Sequence, residues 1–133
     1  MRNARLVPLF LLLFVSGCQN MTPTERTWQT LHAIDVAQTL NATSDGCYRE
    51  VNSVTRRLIG SQPSEERVLA WGLAMGFLHA GVSRTLEERG APRWLRMTWD
   101  VLTIGSTGSA VLSNHREGAR PWGSNEPVPG CSG

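Results

Sequence analysis

The chain contains no lysine, so all 13 of its basic side chains are arginines. Arg2 and Arg5 precede an apolar stretch at the N-terminus, and removal of a signal peptide there would take both away. The mature chain would then carry 11 arginines against 11 acidic residues. A nucleic-acid-binding protein needs an excess of positive charge to displace counterions from phosphates. The charge balance therefore excludes nucleic acid as a partner.

The sequence also lacks the common catalytic and cofactor-binding motifs. It has no Gly-x-Ser-x-Gly elbow, no P-loop, no Rossmann fingerprint and no Cys-x-x-Cys pair. His32 and Asp35 have a helical spacing that would place two metal ligands on one face, but no compact ligand motif accompanies them. We therefore expect no cofactor and no metal.

An export signal is present at the N-terminus. Residues 1–17 combine two arginines, an apolar core and small residues, which is the order of a secretory signal peptide. The final letters "VSGC", ending at Cys18, resemble the lipobox of bacterial lipoproteins, in which the cysteine is acylated after cleavage. The resemblance implies that Cys18 begins the mature chain and binds membrane lipid through several acyl chains, which anchor a protein stably.

Two cysteines, Cys47 and Cys131, would remain after cleavage, in a compartment that permits disulfides. They allow one intramolecular pair. That bridge would close a long loop and contribute on the order of 4 kcal/mol in the chain-entropy model. The alternative is two free thiols, one of them in a flexible tail.

The helix starts and stops predict an all-α fold of three helices within residues 18–115. The first begins at Thr22, where an N-cap residue, a proline and Glu25 form a helix start with a capping box, and it ends near Asn41. The segment 47–60 is irregular or forms a short helix. Gly, Pro and Ser are frequent in residues 116–133, which predicts a flexible C-terminal tail.

The second and third helices are predicted to form a close-packed hairpin, one from Pro63 to Arg89 and the other from Arg93 to Asn114. Gly90 and Pro92 stop the first of the two. Small residues recur every four positions on both helices, as in membrane helices whose backbones approach closely. These small residues are Gly72, Gly76, Ala80, Gly105 and Ser109.

Hydrophobicity does not decide whether lipid or water surrounds this hairpin. The uncharged segment 68–83 has 16 residues, whereas a helix that crosses the hydrocarbon core needs about 20. Arginines cluster at the turn, and in an inserted hairpin they would lie on the cytoplasmic side of the inner membrane. Gln19 instead predicts sorting of a lipoprotein to the outer membrane. We expect insertion or tight membrane association, with a bundle held by its lipid alone as the alternative.

Asp35, Glu50, His79 and Asn114 are polar residues in largely apolar or weakly charged surroundings. A buried carboxylate or imidazole is costly unless it is paired, and an Asp35–His79 pair would satisfy both groups. We therefore predict a buried polar network. In water such a network is structural, and in lipid it is a candidate proton or ligand site.

Several short fragments resemble a pattern found in small proteobacterial lipoproteins and membrane proteins. They read D-x-x-Q-T at 35–39, E-x-N at 50–52, G-x-x-P-S at 60–64 and N-x-x-x-G at 114–118. Ser53 stands where that pattern has a proline, which leaves the loop geometry there open. The resemblance implies helical membrane association and supplies no reaction.

These features predict a lipid-anchored protein of the bacterial cell envelope, of structural or interaction type. Its partners would be membrane lipid, through Cys18, and an envelope protein or a second copy of the chain. One alternative is a soluble, periplasm-facing bundle that binds a partner or a small ligand. Another is an interfacial enzyme that uses Asp35, Glu50 and His79.

Overall fold

The computed structural model describes residues 21–44, 48–50 and 53–125. Within them lie four helices, α1 (Pro23–Thr43), α2 (Ser53–Ile59), α3 (Glu65–Glu88) and α4 (Arg93–Arg116), and no strand. The all-α prediction is confirmed. The count of three helices is wrong, because part of the segment 47–60, predicted to be irregular or a short helix, forms the helix α2. The predicted signal peptide, Cys18, Cys47 and Cys131 lie outside the described residues.

The long helices begin and end at local sequence signals. The Thr22 hydroxyl oxygen accepts a hydrogen bond from the Glu25 backbone N–H at 3.2 Å, and Ser64 caps α3 in the same way. Past the end of α3, Gly90 has a φ of 63°, a left-handed conformation that glycine adopts without strain. The boundaries of these helices follow from side chains within one turn of each end.

Helix α1 lies between α3 and α4 and contacts both. It runs antiparallel to α3, since Glu25 meets His79 while His32, farther along α1, meets the earlier residue Gly72. It runs parallel to α4, whose late residue Asn114 bonds Asp35. Helices α3 and α4 contact each other far less than either contacts α1. The predicted close-packed hairpin is therefore wrong, because α1 supplies the main partner surface for both.

The glycines of α3 bring it close to α1 rather than to α4. A Cβ added at Gly72 would lie 2.8 Å from Val36 Cγ2. The carbonyl oxygens of Gly72 and Gly76 accept hydrogen bonds from His32 and Gln29 of α1, at 2.8 and 3.1 Å. The close helix approach predicted at Gly72 and Gly76 is present, but the helix that approaches them is α1 and not α4.

The other small residues do not form a helix crossing. A Cβ at Gly105 would meet nothing within 4 Å. Ala80 and Ser109 line two separate cavities. The four-residue spacing on α4 thus does not mark a contact with α3.

Replacing Gly72 by alanine should destabilise the protein by about 1 kcal/mol. The new methyl group overlaps Val36, whose branched side chain has one preferred rotamer in a helix. Overpacking costs about 1–3 kcal/mol, and the better helix propensity of alanine returns about 1 kcal/mol. Urea unfolding measures the difference, and Gly105→Ala, with open space around it, should stabilise. Equal effects of the two substitutions would contradict the close approach.

The apolar core of the bundle is small. Val36, Ile59 and Val68 form it, with Leu40 and Trp71 packed against them. Six further residues are buried and polar: Glu25, Gln29, His32, Gln38, Thr39 and His79. The interior along α1 is therefore held largely by hydrogen bonds, which makes the pairing of these groups important for stability.

Residues 117–125 fold back onto α1, so the tail predicted from residue 116 does not begin there. The Asn41 side-chain amide donates to the carbonyl oxygens of Arg120 and Gly123, each at 3.0 Å. The Asn125 amide donates to the Asn41 carbonyl oxygen at 3.1 Å. Residues 126–133 of the predicted tail lie outside the described part of the chain.

Among the helices of the described ranges, none combines the length and the apolar character needed to cross a membrane.

Candidate functional site

Two groups of polar side chains are buried along α1. One surrounds His79 near the start of α1, and the other surrounds Asp35 about ten residues farther on. Helix α1 serves both because its buried positions recur at helical spacing, every three or four residues. These positions are Glu25, Trp28, Gln29, His32, Val36, Gln38, Thr39 and Ala42.

The His79 ring is fixed at both of its edges and on both of its faces. Nδ1 lies 2.9 Å from Glu25 Oε2, and Nε2 lies 3.0 Å from Thr103 Oγ1. The ring stacks between Trp28, at a centroid distance of 3.6 Å, and Trp99, at 4.9 Å. The side chain is only 4 % exposed. No substrate can reach this imidazole without displacing a partner, so we assign the His79 cluster to stability.

Glu25 is the carboxylate of this cluster. Gln29 Nε2 donates to its second oxygen at 2.7 Å. Burial on its own raises the pKa of Glu25, but the hydrogen bonds from His79, Gln29 and Ser83 outweigh that effect and leave the pKa below its ordinary value. The Thr103 hydroxyl donates to the Trp99 carbonyl oxygen at 2.8 Å. The Thr103 oxygen is therefore placed to accept a hydrogen bond from His79 Nε2, and the Glu25 carboxylate lies at Nδ1.

The second group lines a cavity of about 330 Å³, bounded by all four helices and the segment 48–50. Asn114 Nδ2 donates to Asp35 Oδ1 at 2.7 Å. The Tyr48 hydroxyl donates to Glu50 Oε2 at 3.1 Å. Trp71 forms part of the wall, and five hydroxyl groups add to it, those of Thr39, Thr55, Ser106, Ser109 and Ser113.

The carboxylates give this cavity a negative potential. Burial and the charge of Glu50 raise the pKa of Asp35 to about 6, and the bond from Asn114 offsets only part of that rise. Burial also lowers the pKa of His32, which lines the cavity and is neutral near pH 7. Among the described residues that line the cavity, none is an arginine. Asp35 and Glu50 therefore share it with one basic side chain, that of His32.

The structure brings together three of the four residues predicted to form a polar network. Asp35, Glu50 and Asn114 line the same cavity. His79 bonds Glu25 instead, and Glu25 and Asp35, ten positions apart, are separated by roughly 15 Å of helix. The predicted Asp35–His79 pair is wrong, and an enzyme that uses Asp35, Glu50 and His79 together has no common site.

Sequence reasoning missed several members of both groups. Glu25 was placed in a capping box, although it shares a helical stripe with Gln29 and His32, and that stripe was the available signal. Thr103 and Trp99 belong to another helix, and Tyr48 follows the end of α1. No spacing rule connects those residues with α1.

The fold and the cavity define a small all-helical bundle protein with an acidic internal site. Among the residues that the structure describes, no three or more His, Cys, Asp or Glu side chains are grouped to hold a metal ion. No family model matches the chain, and the comparisons with curated proteins and with solved structures found no match. Function must therefore be inferred from the chain's own residues.

Proposed function

We propose that the protein is a lipid-anchored component of the bacterial cell envelope whose bundle binds a small organic cation in the cavity around Asp35. The cavity itself carries the proposal. Asp35 and Glu50 repel each other across it, and a bound cation would relieve that repulsion. The interaction is strengthened by burial, since water screens charges less inside a protein.

The lining favours an organic cation over a metal ion. A divalent metal ion prefers three or more charged or imidazole ligands in a fixed geometry, and the described residues hold no such group. An ammonium group is satisfied by carboxylates, hydroxyl oxygens and the face of an indole, and Trp71 supplies that indole. A volume of about 330 Å³ is at the small end of ligand pockets. A ligand of a few carbon atoms fits it.

The anchoring part of the proposal depends on the N-terminal sequence. The letters "VSGC" at 15–18 resemble a lipobox, and an acylated Cys18 would hold the bundle at a membrane surface. Membrane association then requires no inserted helix. No reaction is assigned. His32 is bonded to the Gly72 carbonyl oxygen, and His79, whose Nε2 lies 3.0 Å from the Thr103 hydroxyl, is only 4 % exposed and packed between two tryptophans.

Choline should bind to the purified, lipidated chain in detergent and raise its thermal unfolding temperature near pH 7.5. Its uncharged analogue of the same shape, 3,3-dimethylbutan-1-ol, should not. Asp35→Asn keeps an acceptor for Asn114 while removing the charge, and should weaken choline binding by roughly tenfold, a loss of about 1.4 kcal/mol. Titration calorimetry measures both affinities.

The matched control for this experiment is Glu66→Gln, which removes an exposed carboxylate of α3 outside the cavity. It should bind choline as the wild type does. Equal binding of choline and the alcohol would contradict the cationic class of ligand. A lack of binding by choline and by putrescine, a smaller diamine, would contradict the ligand site itself.

A further inference from the structure

The start of α1 and the turn between α3 and α4 lie at the same end of the bundle. Met21 and Thr22 line a groove of about 500 Å³ together with Arg84 and Arg96. Cys18 precedes Met21 by three positions, a reach of at most about 10 Å. An acyl anchor on Cys18 would therefore hold this turn beside the membrane that receives the lipid.

This arrangement differs from the predicted inserted hairpin. In an inserted hairpin the turn would cross to the side of the bilayer opposite Cys18. In the bundle, α1 is parallel to α4. Glu25 lines the same groove as Trp99, and Asp35, farther along α1, is bonded by Asn114 near the end of α4. The turn and the anchor thus share one end, and the cavity lies toward the other. Between Trp94 and Asn114, α4 is roughly 30 Å long.

The side chains at the anchor end combine exposed apolar groups with arginines. Trp94 is 67 % exposed and Met97 is 53 % exposed, in the first turns of α4. Between residues 84 and 97 there are four arginines and two glutamates, and one glutamate, Glu88, is paired with Arg84. Tryptophan rings and arginines with apolar stems are the side chains typical of the lipid headgroup layer. Anionic phosphates complement the remaining positive charge.

We infer that residues 84–97, the interfacial end, dock into the headgroup layer of an anionic membrane. Trp94 and Met97 enter the boundary between headgroups and acyl chains, and Arg89, Arg93 and Arg96 lie at the phosphates. Val101 and Leu102 continue the exposed apolar face of α4 by one to two turns. The inference rests on the lipid anchor of the proposed function and is independent of the ligand cavity.

The test uses the full lipidated protein reconstituted in vesicles of phosphatidylglycerol mixed with brominated phosphatidylcholine. Bromine atoms quench tryptophan fluorescence only at close range, so quenching reports which indoles enter the bilayer. Trp94→Phe should lower the quenched fluorescence intensity by at least about half, because Trp94 is the exposed tryptophan at the interfacial end. Trp122→Phe is the matched control and should leave the quenched intensity unchanged. Trp122 is 75 % exposed, beyond the far end of α4.

Charge dependence forms the second arm of the test. Quenching should fall when phosphatidylglycerol is omitted, and the double variant Arg93→Gln, Arg96→Gln should show the same fall in its presence. Equal losses of quenching in Trp94→Phe and Trp122→Phe would overturn the inference. Cross-linking of two copies through the α4 face in place of quenching would also overturn it, by assigning that face to a second copy.

The anchor is checked separately in the same preparation. The mass of the mature chain shows whether Cys18 carries acyl groups, and Cys18→Ala with an ordinary cleavable signal shows whether membrane binding depends on them. An unacylated wild-type chain contradicts the anchor of the proposed function. An acylated chain whose Trp94 is not quenched contradicts the docking of the interfacial end alone.

Discussion

Glu25→Ala should lower the free energy of unfolding by roughly 1–3 kcal/mol, the cost of leaving a buried polar group without its hydrogen-bond partner. The substitution leaves His79 buried, at 4 % exposure, without the carboxylate that lies 2.9 Å from its Nδ1. It also leaves the Gln29 amide with one acceptor fewer. Equilibrium urea unfolding of the wild type and the variant measures this loss.

Two control variants identify the cause of that loss. Glu88→Ala removes a glutamate from an exposed ion pair with Arg84 and should cost less than about 1 kcal/mol. Glu25→Gln distinguishes the buried pair from a capping box, because glutamine serves a capping box as well as glutamate does. A nearly neutral Glu25→Gln would support the capping box and contradict the buried pair.

Asp35→Asn should stabilise the protein by on the order of 3 kcal/mol at pH 8 and by little at pH 4. The pKa of Asp35 is raised from 3.8 to about 6, so the folded state disfavours the ionised carboxyl. The destabilisation is absent below pH 3.8, where Asp35 is protonated in both states. It grows as the pH rises toward 6 and is complete above that value. Asparagine removes the charge and keeps an acceptor for Asn114.

Thermal unfolding of both proteins between pH 4 and pH 8 tests this pH dependence. Asp100→Asn removes a carboxylate that does not line the cavity and serves as the control. It should not raise the unfolding temperature at either pH. If Asp35→Asn raised the unfolding temperature equally at pH 4 and pH 8, charge repulsion would be contradicted as the cause of the stabilisation. The same variant should bind choline roughly tenfold more weakly. A carboxylate kept at a cost in stability is typical of a functional position.

The sequence predicted the features that depend on neighbouring residues. Thr22, Ser64 and Gly90 mark helix ends through contacts within one turn, and those ends were predictable. Asp35 and Asn114 were identifiable because their side chains are unusual in their surroundings. Glu25 is the opposite case. Its position at a helix start predicts a local capping role, but the sequence does not indicate its tertiary partner His79, which lies 54 positions away along the chain.

The partner of a packing surface was equally beyond the sequence. The spacing of Gly72 and Gly76 encodes a flat surface on α3 and does not say which helix covers it. The sequence order suggested α4, the next helix along the chain. In the structure α1 covers that surface instead. Its His32 and Gln29 side chains are hydrogen-bonded to the carbonyl oxygens of Gly72 and Gly76.

The pairing of the first long helix with the last has a consequence for how the chain folds. The Asp35–Asn114 and Gln38–Ala119 bonds join residues 79 and 81 positions apart. Such non-local contacts slow folding, because a long loop must close before they form. Helix α1 leaves the ribosome first, yet its polar face stays without its main partner until α4 has been made. The bundle can therefore close only after the whole of α4 has been synthesised.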